Sequence, residues 1–246
     1  MVVEKYNARG NDFVIFHTFS PDDRSMLAQR LCHRQQGVGA DGLIVLHPDP
    51  EVDFAWEFYN ADGSLADMCG NGSRAAALYA FEHGLAPASM RFLTGAGVIH
   101  AHVNGYNVES QLTKPSILKE AFRQEGLVWW KLDTGVPHLV TVVDDLSLFD
   151  LALASRMRHE HNANVNYALI DNGVLRVRTF ERGVEGETLA CGTGMAACFL
   201  RLFTEGLLPP DITVVPKSGE KLGLRSHEGL LYFRGDVQKV FTAYVN

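Results

Sequence analysis

Four cysteines occur in the 246-residue chain, and two of them have the surroundings of reacting thiols. Cys69 lies in MCGNG and Cys191 in ACGTG; Gly70 and Gly192 follow directly, Gly72 and Gly194 two residues later. Small residues at a helix start let a ligand approach the backbone closely. The first N–H groups of a helix lack internal partners and sit at its positive end. Such a place attracts an anion and lowers a thiol from its usual pKa of ~8.5. A carboxylate held there, with a sulfur on either side of its α-carbon, suits two-base inversion. One thiolate removes the α-proton, the opposite thiol delivers a proton to the other face, and the N–H groups stabilise the charge growing on the carboxylate. The scheme needs no cofactor, neither pyridoxal nor metal, provided water is excluded. Cys32 and Cys198 sit among apolar and helical residues and read as buried filler.

The two cysteine segments are copies of one another. With the cysteines in register no gap is needed between FYNADGSLADMCGNGSRAAALYAFEHGLAP and FERGVEGETLACGTGMAACFLRLFTEGLLP. Phe58 matches Phe180, Ala75 matches Ala197, Leu78 matches Leu200, Phe81 matches Phe203, and Gly84-Leu85 matches Gly206-Leu207. Pro87 and Pro209 complete the match, and the separation of 122 residues is close to half the chain. An internal duplication follows.

The elements that must position the thiols repeat in the same order. Asp12–Phe16 reads as a strand, followed by a helix with Ser20 as N-cap, Pro21 at its first position and Asp22 and Asp23 facing the dipole. Strands Gly42–His47 and Phe54–Tyr59 come next. In the second half, strand His138–Val143 precedes a helix over Ser147–His159 and strands Asn166–Ile170 and Val174–Phe180. Each cysteine then opens a helix that ends at Gly84 or Gly206, with Leu78, Phe81 and Leu85, or Leu200, Phe203 and Leu207, on one face. The expected fold is α+β: two pseudosymmetric domains, each a curled, mostly antiparallel, barrel-like sheet around a central helix. The expected domains are residues 1–113 and 114–236, divided at the polar, proline-bearing Gln111–Pro115; the last strand, Val237–Val245, can pack on either half.

Composition narrows the partners. A net charge of −7 argues against nucleic acid, whose phosphates need a basic footprint. No stretch approaches the ~20 apolar residues of a membrane span, and the first fifteen residues do not read as a signal peptide, so the expected location is cytoplasmic. Gly37–Gly42 matches GxGxxG but leads into a strand rather than a helix, so it reads as a turn. The ten histidines show no HxxxH or HExxH spacing, and no metal site is expected.

With these residues in place, the chain resembles the diaminopimelate epimerase family. The resemblance rests on GNDF (Gly10–Phe13), GADG (Gly39–Gly42), NADGS (Asn60–Ser64), MCGNG (Met68–Gly72), Pro137-His138, ERG (Glu181–Gly183) and ETLACGTG (Glu187–Gly194), in family order over nearly the whole chain. It implies reversible conversion of LL-2,6-diaminopimelate to the meso form, in lysine and peptidoglycan-precursor synthesis, by two domains that close on the substrate, often in a homodimer. It implies Cys69 as proton donor and Cys191 as acceptor in the LL-to-meso direction. Gly70, Asn71, Gly192 and Thr193 would hold the reacting carboxylate. Asn11, Asn60, Asn164 and Arg182 would bind chiefly the far amino-acid end, where the planar fork of Arg182 suits a carboxylate. Glu181 and His138 would bind the amino group or tune the thiols. Val136 stands where many relatives have asparagine, and Gly42 where many have glutamine. Two other readings compete: a racemase of the same fold for a different amino acid, which would not need the Arg182 clamp, and a thiol-redox or amino-acid-binding protein.

Overall fold

Two parallel crossovers, each carrying one helix, organise each half of the chain. The computed structural model describes residues 1–20 and 22–245 and divides into one unit of Met1–Gln111 with Arg234 onward, and another of Leu112–Phe233. In the first, β1 (Val2–Ala8) and β2 (Asn11–His17) form a hairpin, followed by α1 (Ser25–Cys32), β3 (Gly42–His47) and β4 (Phe54–Asn60). Then come α2 (Gly70–Glu82), β5 (Ser89–Thr94), β6 (Gly97–Asn104) and β7 (Asn107–Gln111). The second unit runs β8 (Ser116–Gln124), β9 (Leu127–Asp133), β10 (Pro137–Val142), α3 (Leu151–His161), β11 (Asn164–Asp171) and β12 (Val174–Glu181). It continues through β13 (Gly186–Thr188), α4 (Gly192–Thr204), β14 (Asp211–Val215) and β15 (Leu222–His227). β16 (Leu230–Asp236) leads the chain back, and β17 (Gln238–Tyr244) ends it.

The pairing is the same in both units. β2 lies parallel to β3, β3 antiparallel to β4, β4 parallel to β5, and β5 antiparallel to β6. In the second unit β10, β11, β12, β14 and β15 repeat that alternation. Ahead of it, β9 pairs with β8 and β10 as β1 pairs with β17 and β2. The C-terminal strand therefore fills in the first unit the place that β8 fills in the second. The register also repeats: Phe13 stands opposite Gly42, and His138 opposite Asn164, the residue 122 positions beyond Gly42.

Each sheet curls around its long helix. Gly72 through Ala80 of α2 are all buried, as are Gly194 through Phe199 of α4. Ala75, Ala76 and Ala77 are completely enclosed, so the strands approach the helix closely and larger side chains would overpack by ~1–3 kcal/mol. The expected single apolar face is corrected by this arrangement. Phe81 is 42% exposed in the last turn of α2, and Leu207 is 56% exposed beyond Gly206, after α4 has ended. Cys32 and Cys198 are buried within the cores, as expected.

Two helix starts fall later than their sequence signals. The first helix begins at Ser25, not Ser20; Pro21 lies outside the described residues. Ser20 cannot open it because the Arg24 guanidinium takes the Ser20 carbonyl at 2.6 Å, while the Arg24 N–H goes to the Tyr59 hydroxyl at 3.3 Å. Both halves of the first helical hydrogen bond are thus diverted. Ser147 lies in a 3-10 turn ordered by Asp145, and α3 starts only where Asp150 accepts the N–H groups of Ala152 and Leu153 at 2.7 and 3.0 Å.

The two cysteine helices end as their glycines indicate. Gly84 and Gly206 follow the caps with φ of +65° and +73°, the left-handed conformation that closes a helix. An added Cβ would meet nothing within 4 Å at either position, so only backbone strain opposes substitution. Gly84→Ala and Gly206→Ala should each lower stability by about 1 kcal/mol in urea denaturation. An unchanged midpoint would contradict the assigned backbone.

Candidate active site

Cys69 is the N-cap of α2, in extended conformation, and its sulfur accepts the Gly72 N–H at 3.3 Å. The half-buried thiol faces Asn11 Oδ1 at 3.9 Å. That oxygen also accepts from Asn71 Nδ2 at 3.1 Å, while Asn11 Nδ2 donates to Asp41 at 2.6 Å. Asn71 Oδ1 in turn accepts from the buried Arg74 guanidinium at 2.6 Å. Asn60, at the end of β4, is held by Ser64 through its backbone and through a 3.0 Å side-chain bond. The first unit thus gathers Cys69, Gly70, Asn71 and Asn11 around one helix start. Arg74 and Asp41 join them, and neither was singled out from the sequence.

Cys191 occupies the same place on α4, with its sulfur 3.6 Å from the Thr193 hydroxyl. Thr134 donates to the Thr193 carbonyl at 2.8 Å and fastens the first turn. Beneath it lies a buried polar group. Asn166 Nδ2 donates to His138 Nδ1 at 3.0 Å and to the Leu139 carbonyl at 2.8 Å, and Asn166 Oδ1 accepts from Thr179 at 2.9 Å. Asn164 Oδ1 accepts the Arg182 backbone N–H at 2.7 Å, and Arg182 reaches the Asn162 side chain and carbonyl at 3.3 Å. Glu181 is half-buried at the end of β12. His138, Asn164 and Asn166 occupy the positions of Phe13, Gly42 and Ile44 in the other unit, so one copy has an apolar floor and the other a polar one.

Asn166 and Thr179 complete this floor; the sequence left Asn166 only as a competitor for the Asn164 position and did not single out Thr179. The signal was the repeat: a polar residue where the other copy has isoleucine. Gly194 is fitted to it, since a Cβ there would stand 2.3 Å from Asn166 Oδ1. Gly42 is likewise closed to any side chain, with the Phe58 ring 2.5 Å from where its Cβ would be.

Burial reverses the expected direction of both thiol pKa values. Desolvation raises Cys69, against the N–H groups of Gly72 and Asn71 and the Arg74 charge. Cys191 is pushed up to about 11, by burial first and then by the Glu181 carboxylate, with Thr193 and Gly194 opposing. The helix N-terminus does lower each thiol, but taking a thiolate out of water costs more.

Comparison with known proteins agrees with the motifs. A family model described as diaminopimelate epimerase matches residues 3–118 and 131–240. The chain belongs to the diaminopimelate epimerase family. The diaminopimelate epimerase of Nitratiruptor sp. is 61% identical over 245 residues, spanning 99% of this chain and 98% of that one. That of Campylobacter lari is 52% identical over 243 residues, spanning 98% of each. A solved phenazine biosynthesis protein of the PhzF family from Enterococcus faecalis has a TM-score of 0.75 at 14% identity, covering 99% of both chains, and shows the same fold.

His138 gives a test within this family frame. Burial, with a contribution from the Arg182 charge, holds its pKa at about 3, so it is neutral and accepts at Nδ1. Between the unfolded value of ~6.5 and about 3, the unfolded chain binds a proton that the native one refuses, so stability falls as pH falls. From pH 6 to 4.5 this one group should remove about 2 kcal/mol. His138→Phe should lose that increment, seen by urea denaturation at both pH values; parallel losses in the two proteins would contradict the buried neutral imidazole.

Proposed function

We propose that the chain is a cofactor-independent isomerase interconverting LL- and meso-diaminopimelate, with Cys69 and Cys191 as the acid–base pair. The observation that carries this reading is the duplicated half-site: the same Cys-Gly-x-Gly opens a buried helix in both units of a member of this family. In the LL-to-meso direction the Cys191 thiolate takes the α-proton and the Cys69 thiol delivers one to the opposite face; the reverse reaction exchanges the roles. Gly70, Asn71, Gly192 and Thr193 hold the reacting carboxylate at the helix starts, where its charge grows as the proton leaves. Asn11, Asn60, Asn164 and Arg182 bind the remainder of the substrate. Glu181 and neutral His138 stand by the amino group and Cys191. The raised thiol pKa values fit a pair that must hand protons back as readily as it takes them, since a weakly acidic thiol makes a strong base.

Arg182 favours this substrate over a monocarboxylic one. Among the described residues no helix is long and apolar enough to cross a membrane, and the reading places the enzyme in the cytoplasm, in lysine and peptidoglycan-precursor synthesis. We also infer a homodimer. Val240, Phe241 and Tyr244 on β17 are 52%, 42% and 87% exposed, apolar side chains that a second copy would cover. Sedimentation should show a species of twice the chain mass that Phe241→Glu shifts toward the monomer; a monomer at micromolar concentration would remove the inference.

The reaction itself is tested by incubating the reduced protein with LL-diaminopimelate in D₂O. Deuterium should enter the inverted α-carbon and meso product should appear. Cys69→Ser and Cys191→Ser should each lower turnover by a factor of at least ~10³ without changing the fold, on the scale of losing a general acid or base. Full activity in either variant would rule out the two-base scheme.

A further inference from the structure

The duplication kept the backbone of the two half-sites and made one set of side chains unequal. Around Cys69 stand Asn11, Asp41, Asn71 and Arg74. At the corresponding positions of the other copy are Val136, Ala163, Thr193 and Ala196, set by the 122-residue repeat and the shared strand register. Both charged groups of the first set, and both carboxamides, are therefore missing from the second.

The charges determine how the carboxamides point. Asp41 can only accept, so at 2.6 Å it must face the NH₂ of Asn11, which turns the Asn11 oxygen toward Cys69. Arg74 can only donate, so at 2.6 Å it must face the oxygen of Asn71, which turns the Asn71 NH₂ toward the same Asn11 oxygen. A cation at one end and an anion at the other hold a directed chain, Arg74 to Asn71 to Asn11 to Asp41. Its central oxygen is offered to the Cys69 sulfur, where a thiol can donate to it and a thiolate would be repelled. Cys191 meets instead the Thr193 hydroxyl, which can donate to a thiolate.

We propose that Arg74 and Asp41 are positioning residues that lock the Asn71 and Asn11 carboxamides, so that a fixed acceptor oxygen holds Cys69 as a donating thiol, an acceptor that Cys191 lacks. The assignment rests on the two-thiol reading above and adds what holds the proton on Cys69; Cys191 faces the Glu181 carboxylate instead. The charged groups facing Cys69 within its unit are Arg74 on α2 and Asp41 ahead of β3. Behind Asp41, Arg34 bridges it to Asp12 at 2.6 and 2.7 Å, and Lys5 pairs with Asp12 at 2.9 Å.

The test reads the thiols without substrate, by iodoacetamide modification of each cysteine followed by peptide mass spectrometry, with Cys191 as internal reference. Asp41 now accepts from Asn11, the Asp12 N–H and Arg34. In Asp41→Asn a single acceptor oxygen must serve all three, so the Asn11 NH₂ loses its anchor and the Asn11 oxygen is no longer held against the sulfur. Cys69 modification at pH 8 should rise about tenfold, the equivalent of one pKa unit, while Cys191 keeps its rate. The rise should survive 1 M KCl, since screening weakens the lost charge of half-exposed Asp41 but leaves an amide orientation in place. Arg74→Met should slow Cys69 alone, and Arg74→Lys, which keeps the charge and a donor, should stay within about twofold of the parent. An unchanged Cys69 rate in Asp41→Asn, a parallel change at both cysteines, or a rise abolished by salt would each overturn the lock. Because diaminopimelate is absent, these outcomes are separate from exchange in D₂O: an enzyme that epimerises with unaltered thiol rates refutes only the lock, and one that shows the thiol asymmetry without epimerising refutes only the substrate.

Discussion

Everything in this protein depends on the N–H groups at the start of a helix whose middle turns are enclosed by its sheet. A helix buried on all sides can offer its donors only at its ends, and the curled sheets leave the starts of α2 and α4 as those ends. The cysteine at the cap is then held in extended backbone, beside the donors. The small residues along both helices serve the same end, because strands that approach closely exclude water from the turns below the thiol.

That enclosure carries an electrostatic consequence. The helix terminus favours a thiolate, burial favours a thiol, and burial prevails at both cysteines. The two half-sites set different dipoles beside their thiols. The first unit does this with two carboxamides between an arginine and an aspartate, and the second with a hydroxyl above a floor of neutral histidine and asparagine. The backbone is common to the copies; the polar side chains around the thiols are not.

The same division appears in how the chain closes. β17 takes in the first unit the position of β8 in the second, so the duplicated pattern is completed by a strand from the far end of the sequence. Its pairing partner, β1, holds Lys5, which meets Asp12 behind the Asn11–Asp41 end of the amide chain. The C-terminus is thereby tied to the ordering of the first half-site.

Much of the fold and of the site was legible in the residues. The ungapped repeat disclosed two copies of one unit, since matched glycines and apolar residues 122 positions apart reflect matched turns and cores. The cysteine pair, the helices they open and the glycines that end them follow from local chemistry, which needs only neighbouring residues. Other features required distant partners. Ser20 carries a helix-start signal, yet the Arg24 side chain and Tyr59 divert its first hydrogen bond. The thiol pKa values turned on burial, which no local spacing reports. Asp41 and Arg74 belong to the site only because folding brings residues 11, 41, 71 and 74 into one hydrogen-bonded chain. The sequence by itself pointed to the two thiols; the tertiary structure decided what burial and amide orientation do to them, because desolvation and amide orientation exist only once the chain is packed.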